Sequence, residues 1–170
     1  MIHVGIDPGA HGAICILRND VCDVVALDSS FEVALLHDTA VAVAVNKVKR
    51  LQEETGETVH VMIEHPFCCA GHGTAPAKLF RSFGYITAKF DRLYLIHEIA
   101  PKNWQKTAGV KKIKKSKAAE YARACEIFGK GVVDKMSTVI GKSGRPLKNK
   151  HDGVIDAMLL AHVCRKGYGK

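Results

Sequence analysis

Four acidic residues stand where burial makes a charge costly. Asp7 ends the apolar run from His3 to Ile6, Glu64 follows Val61-Met62-Ile63, and Asp152 and Asp156 open the last apolar stretch of the chain. A carboxylate beside a buried strand end is unfavourable unless it is paired, hydrogen-bonded or bound to a cation. Asp152 and Asp156 are four apart, so on a helix they share one face, about 40° from one another. An all-oxygen set of this kind suits Mg2+, or Mn2+ in its place, and not zinc. Two such ions about 3.5–4 Å apart can activate a water and stabilise the leaving oxygen in phosphodiester cleavage. Each acid also has an ordinary explanation. Asp7 before Pro8-Gly9 can be a turn residue, and Asp152 can be an acid favoured by a helix N-terminus. Those explanations must all hold together to account for the set.

The elements that must position these acids follow from the pattern. Residues 3–17 read as a strand broken by the Asp7-Pro8-Gly9 turn, and Arg18-Asn19-Asp20 as a second turn before a strand over 21–27, which makes an N-terminal antiparallel hairpin. The spacing of Val41, Val45, Val48 and Leu51 predicts a helix over 39–54, with Gly56 past its end; residues 29–38 carry no clear pattern. A buried strand over 58–63 ends in Glu64. A helix over 77–90, a strand over 93–96 and a short helix opened by Pro101 follow. Ser116 is the expected N-cap of a helix over 117–128, with Glu120 as its capping-box partner. Residues 129–150 read as a polar loop, and the last helix runs from about Asp152 to about Cys164. This order predicts an α/β domain over residues 1–170, with a mixed central sheet flanked by helices.

Charge is divided unevenly. Residues 1–100 hold 8 Lys and Arg against 12 Asp and Glu, whereas residues 101–170 hold 17 against 5. The excess lies in two acid-free stretches, one with Lys102, Lys106, Lys111, Lys112, Lys114, Lys115 and Lys117, the other with Lys142, Arg145, Lys148 and Lys150. Such blocks attract a polyanion through its phosphates; a solvated basic face is the plain alternative. Trp104, between Lys102 and Lys106, can stack on a base, although most single tryptophans pack in cores. The six cysteines show no C-x-x-C pair and read as reduced thiols, with Cys68-Cys69 the doublet of note. No apolar run is long enough to span a membrane. The first residues lack a basic n-region, so a cytoplasmic protein is expected.

Several segments together resemble the RuvC family of Holliday-junction resolvases, in its phage and bacterial form. Ile6-Asp7-Pro8-Gly9-Ala10-x-Gly12 resembles the family's first-strand motif, Val61-Met62-Ile63-Glu64 its second, and the segment from His151 to Met158 its C-terminal one. Ala100-Pro101-Lys102-Asn103-Trp104, with Lys117 and Ala118, resembles the Pro-x-x-Trp stretch and basic helix of phage-type members. The likeness spans about residues 2–164. It implies an RNase H-like fold, a pair of Mg2+ ions held by Asp7, Glu64 and Asp156, a homodimer, and nicking of four-way junctions or related branched DNA. The family commonly has an acid or His three residues before its last Asp, where this chain has Gly153. Asp152 is then the expected fourth ligand, and His151 a group that polarises water or phosphate, unless it is only a solvated helix-start residue. Phe67 stands where the family carries an aromatic that wedges into the junction, or it tucks into the core. Two equivalent strands call for a two-fold enzyme, with Leu79-Phe80-Arg81-Ser82-Phe83 as the candidate interface.

Other readings leave the acids unchanged. A nuclease of the same fold can prefer flaps, forks or RNA–DNA hybrids. A non-catalytic nucleic-acid-binding scaffold predicts a lost acid, and only the Gly153 departure speaks for it. An actin-like ATPase predicts about twice this length and a second phosphate loop with Asp-x-Gly, which Gly71-His72-Gly73 does not supply.

Overall fold

The computed structural model describes residues 1–9, 11–27, 34–66, 75–111, 117–140 and 146–168, and the side chains of these except 34–37, 75, 76, 78, 139, 140 and 146–150. The strands β1 (Ile2–Asp7), β2 (Ala13–Arg18), β3 (Val21–Ala26), β4 (Val59–Glu64) and β5 (Ile96–Ile99) form one sheet in the order β3-β2-β1-β4-β5. β1, β2 and β3 are antiparallel neighbours, while β4 runs parallel to both β1 and β5. The expected mixed sheet with an N-terminal hairpin is what forms.

Strand alternation divides the sheet between two cores. Ile2, Val4 and Ile6 of β1, Ile14 and Ile16 of β2, and Val59, Val61 and Ile63 of β4 face α1 (Ala34–Thr55) and α2 (Ala75–Asp91), packing on Val41, Ala44, Val48, Ile86 and Phe90. The alternate residues, Ala13, Cys15, Leu17 and Met62 among them, face α6 (Asp152–Tyr168). Asp7 and Glu64 belong by parity to this second face. α6 is buried without interruption from Gly153 to Cys164, as a helix must be when it lies between a sheet and other helices. Those helices are α3 (Pro101–Ala108), α4 (Ala118–Phe128) and α5 (Lys130–Ser137). α6 meets β1 backbone to backbone: a Cβ at Gly5 would lie 2.1 Å from the nitrogen of Ala161 and 2.3 Å from the oxygen of Ala157.

Three elements differ from expectation. Residues 129–150 are not a loop throughout; they include α5 and the antiparallel pair β6 (Thr138–Ile140) and β7 (Pro146–Lys150). Gly129 and Gly131 hide α5 in the sequence, whereas Val133 and Ser137 are buried and Val133 joins the core around α6. β5 begins at Ile96 because Leu93 and Leu95 are exposed and residues 92–94 make a turn. The residue capping α4 is Lys117, with no side-chain cap; Ser116 lies outside the described residues. The described cysteines, Cys15, Cys22, Cys125 and Cys164, are free thiols, and Cys68 and Cys69 lie outside the described residues. Among those residues, no helix is long and apolar enough to cross a membrane.

Candidate functional site

β1 and β4 are adjacent and parallel, with Ile6 level with Ile63, so Asp7 and Glu64 leave the sheet side by side on the α6 face. Asp156, one turn into α6 and 6% exposed, completes the group. Each carboxylate has one oxygen held by a donor from a different part of the chain. The Gly9 amide donates to Asp7 Oδ1 at 2.9 Å. The Trp104 indole Nε1–H donates to Glu64 Oε2 at 2.5 Å. The Lys117 ammonium donates to Asp156 Oδ2 at 2.6 Å. Asp156 Oδ1 is buried without a partner among the described residues, an uncommon and costly arrangement for a carboxylate.

The electrostatics have one cause, several acids in a dry place. Burial raises the Asp7 carboxyl above its ordinary value, against the Gly9 amide, Lys117 and His151. Burial and then the Asp7 charge push Glu64 up to about 7, with the Trp104 N–H pulling the other way. Burial takes Asp156 to about 6 in spite of Lys117. Burial lowers Lys117, but the charge and hydrogen bond of Asp156, with Glu120 and Asp152 behind them, leave it raised. The ion pair thus compensates only part of the charge.

No three His, Cys, Asp or Glu side chains among the described residues are gathered tightly enough to hold a metal ion as they stand. Three mutually repelling carboxylates with a lysine among them would not close further on their own. The donor set still fits a hard divalent cation: it is all oxygen, it carries more negative charge than Lys117 neutralises, and Asp156 offers a buried orphan oxygen.

His151 and Asp152 stand differently from expectation. α6 starts at Asp152, so His151 is its capping residue: its carbonyl accepts from Val154 and Ile155, and its Nδ1 lies 3.3 Å from the Val154 nitrogen. Its Nε2 is buried without a partner among the described residues, and its charge is felt by Asp7. Asp152 is exposed and acts on Lys117. The preference for Asp152 over His151 as fourth ligand gains no support from this placement.

Trp104 is not offered to a base. It is 1% exposed, buried in the core around α6, and the only polar atom of its side chain goes to Glu64. Lys117, expected to meet a phosphate, is paired with Asp156. Both roles were hidden because each partner is some forty residues away in sequence. One signal was present: a helix that starts at the end of β5, beside Glu64, must carry its first-turn aromatic past that carboxylate. Lys102, Lys106 and Lys111 are exposed. Phe67, Lys112, Lys114, Lys115, Lys142 and Arg145 lie outside the described residues, as do the side chains of Lys148 and Lys150.

The sequence matches no protein-family model and no curated protein. In fold it is similar to Thermus thermophilus RuvC in complex with a Holliday junction substrate, with a TM-score of 0.57 and 14% identity over 99% of this chain and 94% of that one. A structure of Thermus thermophilus RuvC alone gives 0.55 and 15%, over 99% and 95%. The fold of this chain is therefore the RNase H-like α/β fold of RuvC, with its acidic site at the carboxyl ends of two central strands.

Proposed function

We propose that the chain is a single-domain, metal-dependent endonuclease that nicks branched DNA, four-way junctions above all. The observation that carries this reading is the convergence of Asp7, Glu64 and Asp156, each with one oxygen held by a donor of the chain, on a RuvC-like fold. These three acids, with His151 or Asp152 at the rim, would hold two Mg2+ or Mn2+ ions. Bound there, the ions would supply an activated water and stabilise the departing oxygen of a phosphodiester. The chain's own part is to fix its carboxylates in advance and to exclude water behind them with the α6 core.

The exposed Lys102, Lys106 and Lys111, followed by Lys112, Lys114 and Lys115, are suited to grip phosphates beside the acids. A four-way junction has two equivalent strands, which a homodimer matches. Phe80, exposed on α2 beside Phe83, is suited to a place in its interface. Cytoplasmic DNA is the natural substrate of such a protein.

The test is cleavage by the purified protein, with and without Mg2+, of a four-way junction, a flap, a fork, an RNA–DNA hybrid and a linear duplex. Paired symmetric nicks in the junction are expected. Junction binding without cleavage of any substrate would instead favour a scaffold, a reading for which the Lys117–Asp156 pair and Gly153 speak.

A further inference from the structure

Trp104 is the one tryptophan of the chain, and its place is set from both sides. Ile99, the last residue of β5, is level with Glu64 in the sheet. Ala100 then caps α3 in an extended conformation, with Pro101 as its first residue, and the Trp104 amide donates back to Ala100. The α3 turn thereby delivers the indole to the end of β4, where it is buried in the core around α6. An indole is a donor only and does not titrate. With 1% of its surface exposed it has no alternative rotamer in solvent, and its N–H lies 2.5 Å from Glu64 Oε2.

We infer that Trp104 is a positioning residue for the metal centre: it pins one oxygen of Glu64 so that the other is presented to the cation. This rests on the proposed metal site and not on which nucleic acid is cut. Asp7 and Asp156 are fixed differently. The Asp7 partner is a backbone amide two residues away, and the Asp156 partner is an ammonium on a half-exposed side chain that can leave. Glu64 has the longest side chain of the three and the most rotamers to lose on binding an ion, so it gains most from a fixed donor. A partner that orients a ligand from behind in this way commonly contributes about 10–100-fold in metal affinity.

The experiment has two arms. Calorimetric titration with Mg2+, without DNA, compares the wild type with Trp104→Phe, which keeps an aromatic body and removes the N–H. About tenfold weaker Mg2+ binding is expected, with junction affinity in EDTA unchanged. Equal Mg2+ affinity in a folded Trp104→Phe protein would overturn the inference. The second arm needs no change at Trp104. In protein labelled with 15N-tryptophan there is one indole N–H resonance, expected well downfield because of its short bond to a carboxylate. It should shift saturably with Mg2+, and Glu64→Gln should move it upfield and abolish the response. A resonance indifferent to both Mg2+ and Glu64→Gln would also overturn the inference. A wild type that shows both effects but cuts no branched DNA would sink the proposed substrate and leave the role of Trp104 standing.

Discussion

Gly153 presses on the backbone of His11: a Cβ at Gly153 would lie 2.0 Å from the His11 carbonyl oxygen and 2.7 Å from the Gly12 Cα. The N-terminus of α6 thus rests directly on the β1–β2 turn. The position three before Asp156, from which an acid or His would be expected to reach the ions, has no room for any side chain. The departure at this position is a packing constraint, and a fourth ligand of the proposed metal site would come from elsewhere.

Restoring an acid there will therefore fail. Gly153→Asp is expected to lower stability by about 3 kcal/mol or more, through overpacking and a backbone shift, and to lose activity with it. Thermal unfolding checks this; a folded and more active Gly153→Asp protein would contradict the packing.

The neighbouring pair should sort by burial. His151→Ala removes the Nδ1 contact at the Val154 amide and a group that acts on Asp7, so both stability (about 1 kcal/mol, as for a lost cap) and cleavage should fall. Asp152→Asn, at an exposed carboxylate, should change the metal requirement less than threefold. Cleavage rates against Mg2+ concentration distinguish them, and a large metal defect in Asp152→Asn alone would make Asp152 the ligand.

Glu64 gives a pH signature in the absence of metal. Its folded pKa is raised from 4.5 to about 7, so the folded state keeps a proton that the unfolded chain releases. That contribution is complete below about pH 4.5 and is lost as pH rises through 7. Glu64→Gln escapes the loss. Its stability relative to wild type should climb by about 2–3 kcal/mol between pH 4.5 and 8, while its cleavage, like that of Asp7→Asn, should vanish with junction binding intact. Parallel stability curves for the two proteins would remove the electrostatic account.

The histidines at the other end of the sheet work in the opposite sense. His162, beside Phe128 and facing Arg165, Lys166 and Arg123, is lowered by burial to about 4, and His3 likewise. The unfolded chain takes up these protons first, so stability present above pH 6.5 is lost as pH falls toward 4. His162→Phe should flatten the acid limb by about 1–2 kcal/mol. An unchanged limb in urea melts at pH 5 would place the burden on other groups.

The basic stretch divides into two kinds of lysine. Replacing Lys102, Lys106, Lys111, Lys112, Lys114 and Lys115 with glutamine should reduce the salt slope of junction binding by about 0.9 per lost phosphate contact. Lys117→Gln should instead destabilise by about 1 kcal/mol, since it strips Asp156 of its partner. A full salt slope after all six replacements would mark a solvated face.

The sheet and the three converging acids were legible because they follow from local rules. Alternation placed Asp7 and Glu64 at strand ends, and apolar spacing placed Asp156 on the last helix. What lay beyond the sequence was how each carboxylate is held. The Trp104–Glu64 and Lys117–Asp156 contacts arise from docking α3 and the start of α4 against α6, and no periodicity encodes a partner forty residues away. α5 escaped because Gly129 at its cap and Gly131 within it resemble loop chemistry, although burial of Val133 decides the matter. The helix start at Asp152 was legible; the capping role of His151 escaped because helical spacing counts only residues inside the helix, and His151 meets the Val154 amide from just before it.

The contact of α6 with Gly5 leaves no side chain between helix and strand to cushion their spacing. Asp156 and Asp7 ride on two backbones that touch, and a touching pair has one separation, not a range. Breathing motions elsewhere in the core have no route to widen the acidic site by degrees. The site and the centre of the sheet should therefore open to solvent exchange as a single event, with Ala157, Ala161 and the amides of β1 sharing one protection free energy.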